Sequence, residues 1–242
     1  MTTDIVDSDE DATPRGLHEH AGDLLAIGLS EDLLQALDGA LPNLRLSRYD
    51  AGDPVYRQGS DVEALYLVKS GRIKLMSYSQ DGNARIVRLH KRGSVLGLNG
   101  LLNEKHDHTA IAVDDIELYI LPIQVIRVIE GLDSEAYHKL LEYSHEYLKE
   151  ADTWITEFST GGIRGRVARL VLYLMSQDDS TGRREVALLT VNEMAEIIGV
   201  TPESVSRVLA EFKRNGILSV IDEKNPDVYR CDAAALNREA AS

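Results

Sequence analysis

Only one cysteine, Cys231, stands among the 242 residues. An intramolecular disulfide framework is therefore excluded, as is a cysteine cluster for structural zinc or an iron–sulfur centre. Aromatic residues make up 5% of the chain, so composition shows no binding platform. No stretch approaches the roughly 18 apolar residues of a transmembrane helix. The opening MTTDIVDSDEDATPR has neither the basic start nor the apolar run of a secretory signal. A cytoplasmic location is expected, with no membrane partner. Basic residues are also scarce: 26 Lys and Arg face 40 Asp and Glu, for a formal charge of -14. As an average, that excess argues against nucleic acid, because DNA binding depends on neutralising phosphates with Lys and Arg. The arrangements of catalysis are missing too: there is no Ser/His/acid order, P-loop, dinucleotide fingerprint or H-E-x-x-H set. No catalytic residue is expected.

What is present begins with length, since 242 residues fit two domains of roughly 100 to 200 residues better than one. The acidity is unevenly spread between them. Residues 1–24 carry seven acids and one base, residues 25–159 carry 21 and 14, and residues 160–242 carry 12 and 11. The last third is thus nearly neutral. Arg164, Arg166, Arg169, Arg183, Arg184, Arg207, Lys213 and Arg214 could give it a basic face.

Residues 1–22 read as an acidic disordered tail, and Ser30 caps an expected short helix over EDLLQALDGAL. From Leu44 to Leu121 the texture is one of short alternating runs. Glycines at 52, 59, 71, 82 and 93 recur every 7 to 12 residues, and Asp81-Gly82 fits a tight turn. That spacing predicts antiparallel strands folded into a barrel or sandwich. After Pro122 the turn signals fade, and Ser134 to Phe158 can form one long helix. Tyr137, Leu141, Ser144, Leu148, Ala151, Ile155 and Phe158 are spaced 4, 3, 4, 3, 4, 3, a single seam with coiled-coil periodicity. The seam predicts a parallel homodimer, with packing against the chain's own barrel as the alternative. Thr160-Gly161-Gly162 then forms a hinge.

The sharpest local signal lies beyond it. Thr190 and Glu193 form a capping box for VNEMAEIIG, Gly199-Val200 makes a turn, and Thr201 caps PESVSRVLAEFKRNG with Pro202 at its first position. This is helix, tight turn, helix. Ala195, Ile198, Val205, Val208, Leu209 and Phe212 would pack inward, leaving Glu203, Ser206, Arg207 and Arg214 outward. In such a motif the second helix enters the major groove of double-stranded DNA. Arg207 can reach guanine with its fork, Glu203 can accept from cytosine N4, and Ser206 can bond a base or a phosphate. ILSVIDEKNPDVYRC adds two strand-like portions about a turn, as in a winged version.

LTVNEMAEIIGVTPESVSRVLAEFKRNGIL resembles the DNA-reading domain of the CRP/FNR family of bacterial transcription regulators. RYDAGDPVYRQGSDVEALYLVKSGRIKLMSYSQDGNARIVRLHKRGSVLGL resembles that family's cyclic-nucleotide-binding-type beta-roll, and the likeness covers about residues 24–231. It implies an α+β chain: a tail over 1–22, a beta-roll (jelly-roll) sensory domain over 23–133, a dimerisation helix over 134–159, and a winged helix-turn-helix domain over 160–242. It further implies a homodimer that reads a palindromic promoter site and meets RNA polymerase, with activation and repression both open. Glu203, Ser206 and Arg207 match the family's reading residues, which implies a TTGAT-like half-site. Thr201, Pro202 and Arg214 flank them, and Pro202 stands where many relatives have valine or arginine.

The sensory stretch GSVLGLNGLLNEKHDHTAIA departs from the family's cyclic AMP pattern. Leu98-Asn99 lie near the glutamate position, and Asp107 stands where a phosphate-pairing arginine belongs, so it would repel a phosphate. Cyclic AMP and an iron–sulfur cluster are therefore not the expected cofactors. His90, His106 and His108 lie around this roll and could offer an axial ligand to heme, as in relatives that sense nitric oxide or carbon monoxide. Against that, histidines in loops usually face solvent. A noncatalytic ligand-binding module without specific DNA binding is the alternative from a different class.

Overall fold

The computed structural model describes residues 44–79, 84–102, 104–124, 134–177, 185–222 and 225–241. The acidic tail, the helix after Ser30, the Asp81-Gly82 turn, and Arg183 and Arg184 lie outside the described residues.

Strands β1 (Arg45–Tyr49), β2 (Pro54–Tyr56), β3 (Ala64–Ser70), β4 (Ile73–Tyr78), β5 (Ala84–His90), β6 (Val95–Leu96), β7 (Thr109–Ala112) and β8 (Ile116–Pro122) form two four-stranded sheets. Their orders are β1-β8-β3-β6 and β2-β7-β4-β5, with every pairing antiparallel. Alternation of side chains turns one face of each sheet inward. Val68, Ile73, Leu75, Leu96, Ala110, Ala112, Ile116 and Leu118 close the core between them. Four of the five spaced glycines, Gly52, Gly59, Gly71 and Gly93, take positive φ. At Gly71 φ is 78°, and a Cβ would come within 2.7 Å of the Asp115 carbonyl oxygen, so the turn from β3 to β4 admits no side chain.

Helix α1 (Ser134–Ser159) leaves the roll, and α2 (Ile163–Gln177) follows after the break at residues 160–162, where Gly161 takes a positive φ of 81°. Strand β9 (Glu185–Ala187), α3 (Val191–Ile198), α4 (Pro202–Arg214), β10 (Leu218–Asp222), β11 (Asn225–Cys231) and α5 (Ala233–Ala240) complete the head. β10 and β11 pair as the expected hairpin, and β9 extends it to a sheet ordered β10-β11-β9. One apolar cluster holds the head together, with Val167, Leu170, Met194, Ile197, Val205 and Phe212 nearly or fully sealed from solvent. Met76, Ile86 and Leu89 of the roll belong to that same cluster. The result is an α+β chain, a beta-roll followed by a helix-turn-helix head with a wing. Its last helix, α5, was not foreseen.

Candidate nucleic-acid interface and effector cavity

Helix α3 begins with the capping box that its sequence specifies. The Glu193 backbone N–H donates to Thr190 Oγ1 at 3.2 Å, and the Thr190 N–H donates to Glu193 Oε2 at 3.0 Å. Gly199 ends the helix in the left-handed region at φ 65°, where a side chain is strained. Two residues on, Thr201 caps α4 by accepting from the Ser204 N–H at 3.4 Å, and Pro202 fills the first turn. Val205, Leu209 and Phe212 are buried and Val208 is half-buried, which fixes how α4 is rotated. Glu203, Ser206, Arg207 and Arg214 are consequently on the outer side, at the helical spacing that keeps them clear of the core. A hydrogen bond from its own backbone N–H, and then one from the Thr201 hydroxyl, hold the Glu203 carboxyl below its ordinary range. It is an anion at neutral pH, able to accept from an amino group.

Among the described residues, four of the cations that suggested a basic face are engaged by groups of the chain itself. Arg164 pairs with Glu239 and Glu211 and lies over the Phe212 ring, 4.9 Å from its centroid. Arg166 donates to the Ile198 carbonyl at 2.8 Å, and Arg169 to the carbonyls of Glu157 and Ala240, each at 2.7 Å. Lys213 donates to the Tyr229 hydroxyl at 2.8 Å. These cations tie elements of the head to one another. Arg207 and Arg214 remain exposed on the outer side of α4.

A cavity of about 470 Å³ lies between the roll and α1. Tyr56, Arg88, His90, His106, Asp107 and Tyr147 are among its lining residues. Tyr147 joins α1 to strand β6: its hydroxyl accepts from the Val95 N–H at 2.7 Å and donates to the Val95 carbonyl. Arg88 donates to the Tyr147 carbonyl at 2.9 Å and sits 5.2 Å from the centre of its ring.

His90, His106 and His108 all line this one cavity, and the expectation that they face solvent fails for two of them. His90 is the last residue of β5, sealed edge-on against Tyr147, and burial, reinforced by Arg88 and His108, drives its pKa down to about 3. His106 is stacked on Tyr56, with ring centres 3.6 Å apart, and burial takes it down to about 4 against the opposing pull of Asp107. Burial also lowers His108. All three are neutral imidazoles at pH 7. Among the described residues no group of three or more His, Cys, Asp or Glu is arranged to hold a metal ion. Cys231 is buried, and burial pushes its thiol up to about 11.

The seam of α1 is divided. Leu148 and Ile155 are 66% and 61% exposed, and Ser144 and Ala151 are half-buried. Phe158 corrects the expectation that it lies on the seam. It is 2% exposed, with Trp154 at 4.8 Å and Tyr173 of α2 at 5.6 Å, so it anchors α1 to its own head. A heptad pattern specifies a stripe without specifying what covers it. The side chains of Tyr137 and Leu141 lie outside the described residues. Sequence reasoning also missed Arg88, which nothing local distinguishes from a surface residue. It missed α5 although Asp232 is an ordinary N-cap, accepting from the Ala235 N–H at 3.0 Å. No helix among the described residues is long and apolar enough to cross a membrane.

Comparison with known proteins agrees with both halves of this architecture. Residues 46–129 match the cyclic nucleotide-binding domain, and residues 165–239 match the Crp-like helix-turn-helix domain. The chain is 31% identical over 209 residues to the cyclic AMP receptor protein of Thermus thermophilus, covering 86% of this chain and 93% of that one. Transcriptional regulator LdrP of the same organism is 27% identical over 201 residues, covering 81% and 97%. A crystal structure of a CRP-family transcriptional regulator, also from Thermus thermophilus, superposes with a TM-score of 0.69 at 26% identity, over 81% of this chain and 97% of that one. A beta-roll, a long connecting helix and a winged helix-turn-helix in this order, with that degree of identity, place the chain in the CRP/FNR family of transcription regulators.

Proposed function

We propose that this chain acts as a homodimer whose two α4 helices read an inverted repeat of the TTGAT-N4-ATCAA kind. The observation that carries the reading is the single exposed face of α4, where Glu203, Ser206 and Arg207 project beside the cap made by Thr201 and Pro202. Arg207 bonds guanine O6 and N7, Glu203 accepts from cytosine N4, Ser206 bonds a base or phosphate, and Arg214 meets the backbone. Leu148 and Ile155, large and apolar on an exposed helix face, support dimerisation along α1. In this reading residues 23–133 sense, 134–159 dimerise and 160–242 bind DNA. The regulator works in the cytoplasm with RNA polymerase as its partner. Titration of a TTGAT-N4-ATCAA duplex and a scrambled duplex across a salt series tests it. Selective binding of the palindrome is expected; equal binding to both would leave only a ligand-binding module.

The signal enters at the cavity between the roll and α1. One relative is named a cyclic AMP receptor protein, but Asp107 in the lining here disfavours a phosphate, and Leu98-Asn99 occupy the stretch where a ribose-binding glutamate would stand. Heme is the second reading, favoured by three histidines lining one cavity, each in the neutral form that can ligate iron. His90, His106 and His108 are the residues that would hold it, and bound heme would supply an iron that takes up nitric oxide or carbon monoxide. A Soret scan of protein purified anaerobically, with and without added heme and nitric oxide, decides this. A band that His-to-Ala substitution abolishes supports heme, and no band after reconstitution refutes it.

A further inference from the structure

Both ends of α3, the first helix of the helix-turn-helix, are gripped by cations of the roll. At its start Lys74 of β4 donates to Glu193 Oε1 at 2.8 Å, while Oε2 of the same carboxylate closes the capping box with Thr190. The two side chains are only 18% and 14% exposed, so solvent and salt screen the pair weakly. At its end Arg85 of β5 donates to the Ile197 carbonyl at 3.3 Å. That carbonyl lies in the last turn, where helical carbonyls lack partners and the macrodipole favours a cation. The Arg85 guanidinium also lies against the turn into α4, so close that a Cβ on Gly199 would collide with Arg85 Nη1. A third bond runs from Arg72 to the Ala187 carbonyl at 3.2 Å, at the end of β9. Beneath these contacts Met76, Ile86 and Leu89 of the roll share one apolar cluster with Met194, Ala195 and Ile198.

We propose that Lys74 and Arg85 are positioning residues that aim the DNA-reading helix, by holding α3 against the roll while leaving the Glu203, Ser206 and Arg207 face of α4 free. This rests on the DNA-reading role proposed above. Neither residue needs to touch DNA. Because α4 packs on α3 through a tight turn, a fixed α3 fixes the direction in which α4 leaves the molecule. In a dimer that direction sets which separation of half-sites both heads can meet at once. A loosened head would still recognise its half-site but would lose the geometric match between two of them.

The test uses the full-length protein and inverted repeats with spacers of 3, 4, 5 and 6 base pairs, together with a single half-site and a scrambled duplex. Lys74→Met and Arg85→Met keep the apolar stem and remove the charge, and Lys74→Arg restores the charge. At the preferred spacing the two Met variants should bind roughly 10- to 100-fold more weakly, the effect of losing a charged hydrogen bond. Their spacing preference should flatten, their single half-site affinity should stay that of the wild type, and backbone amides of α3 should exchange hydrogen faster. Lys74→Arg should recover the spacing profile. Equal losses at every spacing and on the half-site, or a Lys74→Arg variant as impaired as Lys74→Met, would overturn the aiming role. A wild-type chain that prefers the palindrome, with Met variants unchanged in affinity, spacing and exchange, would overturn it while sparing the DNA-reading role. A wild-type chain that does not prefer the palindrome over the scrambled duplex would remove both.

Discussion

Phe158→Ala separates two ways of reading the stripe on α1. If Phe158 lay on a dimer seam beside Leu148 and Ile155, its loss would weaken association and the effect would depend on protein concentration. The structure buries it within its own chain, 2% exposed, edge-on to Trp154 and Tyr173. Truncating a buried phenylalanine costs about 3–5 kcal/mol in transfer free energy and cavity. Two edge-to-face partners argue for the upper half of that range, each such pair contributing about 0.5–1.5 kcal/mol. With a urea slope of about 1–3 kcal/mol/M, the unfolding midpoint should fall by about 1–5 M. The assay is urea denaturation followed by Trp154 fluorescence at protein concentrations spanning two orders of magnitude, beside Leu148→Ala. The Phe158→Ala shift should be the same at every concentration, because the lost contacts lie within one chain. Leu148→Ala should instead raise the dissociation constant of the dimer while changing the stability of the dissociated chain by no more than about 0.5 kcal/mol, as for a surface substitution. A Phe158→Ala shift that grew on dilution, with a Leu148→Ala shift that did not, would refute the reasoning.

Other consequences follow from the cavity and the reading helix. His90 has its folded pKa depressed to about 3 from an ordinary 6.5, so the unfolded chain takes up the proton first. Its contribution to stability is present above pH 6.5 and is lost as pH falls toward the folded value, at a slope of about 1.4 kcal/mol per pH unit. Unfolding free energies from urea titrations between about pH 7 and pH 4.5 should fall more steeply in the wild type than in His90→Gln, by about this slope; parallel curves would contradict it. Tyr147→Phe removes the hydroxyl that serves both the N–H and the carbonyl of Val95 and should destabilise by about 1–3 kcal/mol, measured by thermal denaturation. An unchanged melting curve would show that water replaces the hydroxyl at no cost. Arg214→Ala should weaken specific and scrambled duplexes alike and reduce the salt slope by about one, as a phosphate contact does. A selective loss on the palindrome would make it a base reader instead.

Local chemistry was read well from the sequence, and long-range partnership was not. Thr190 with Glu193, Gly199, and Thr201 with Pro202 specify their caps and turn within a few residues, and the structure forms each of them. Glycine spacing likewise announced several turns of the roll, where Gly52, Gly59, Gly71 and Gly93 take the positive φ that glycine adopts without strain. Arg164 and Lys213 show the opposite case. Their partners Glu239 and Tyr229 are 75 and 16 residues away, so charge counting assigned to an outer face cations that the head uses internally. His90 and His106 were misjudged because burial depends on which strand faces which helix, and Tyr56 and Tyr147 reach them only through tertiary folding. Phe158 followed the heptad faithfully in sequence and still turned to α2, because periodicity places a residue on a stripe and the stripe's neighbours change along a 26-residue helix.

The deficit of 14 charges constrains function without excluding DNA. In the reading proposed above, the acidic excess keeps long-range attraction to the phosphate backbone weak. Selective binding, as proposed, would then depend on dimerisation and on base contacts from α4. The most direct measurement is the ratio of affinities for a TTGAT-N4-ATCAA palindrome and a scrambled duplex, for the wild-type chain and for Arg207→Ala at fixed salt. The account predicts a wild-type preference that Arg207→Ala reduces by about 1–3 kcal/mol per half-site, with scrambled binding nearly unchanged. Equal losses on the palindrome and the scrambled duplex would contradict it.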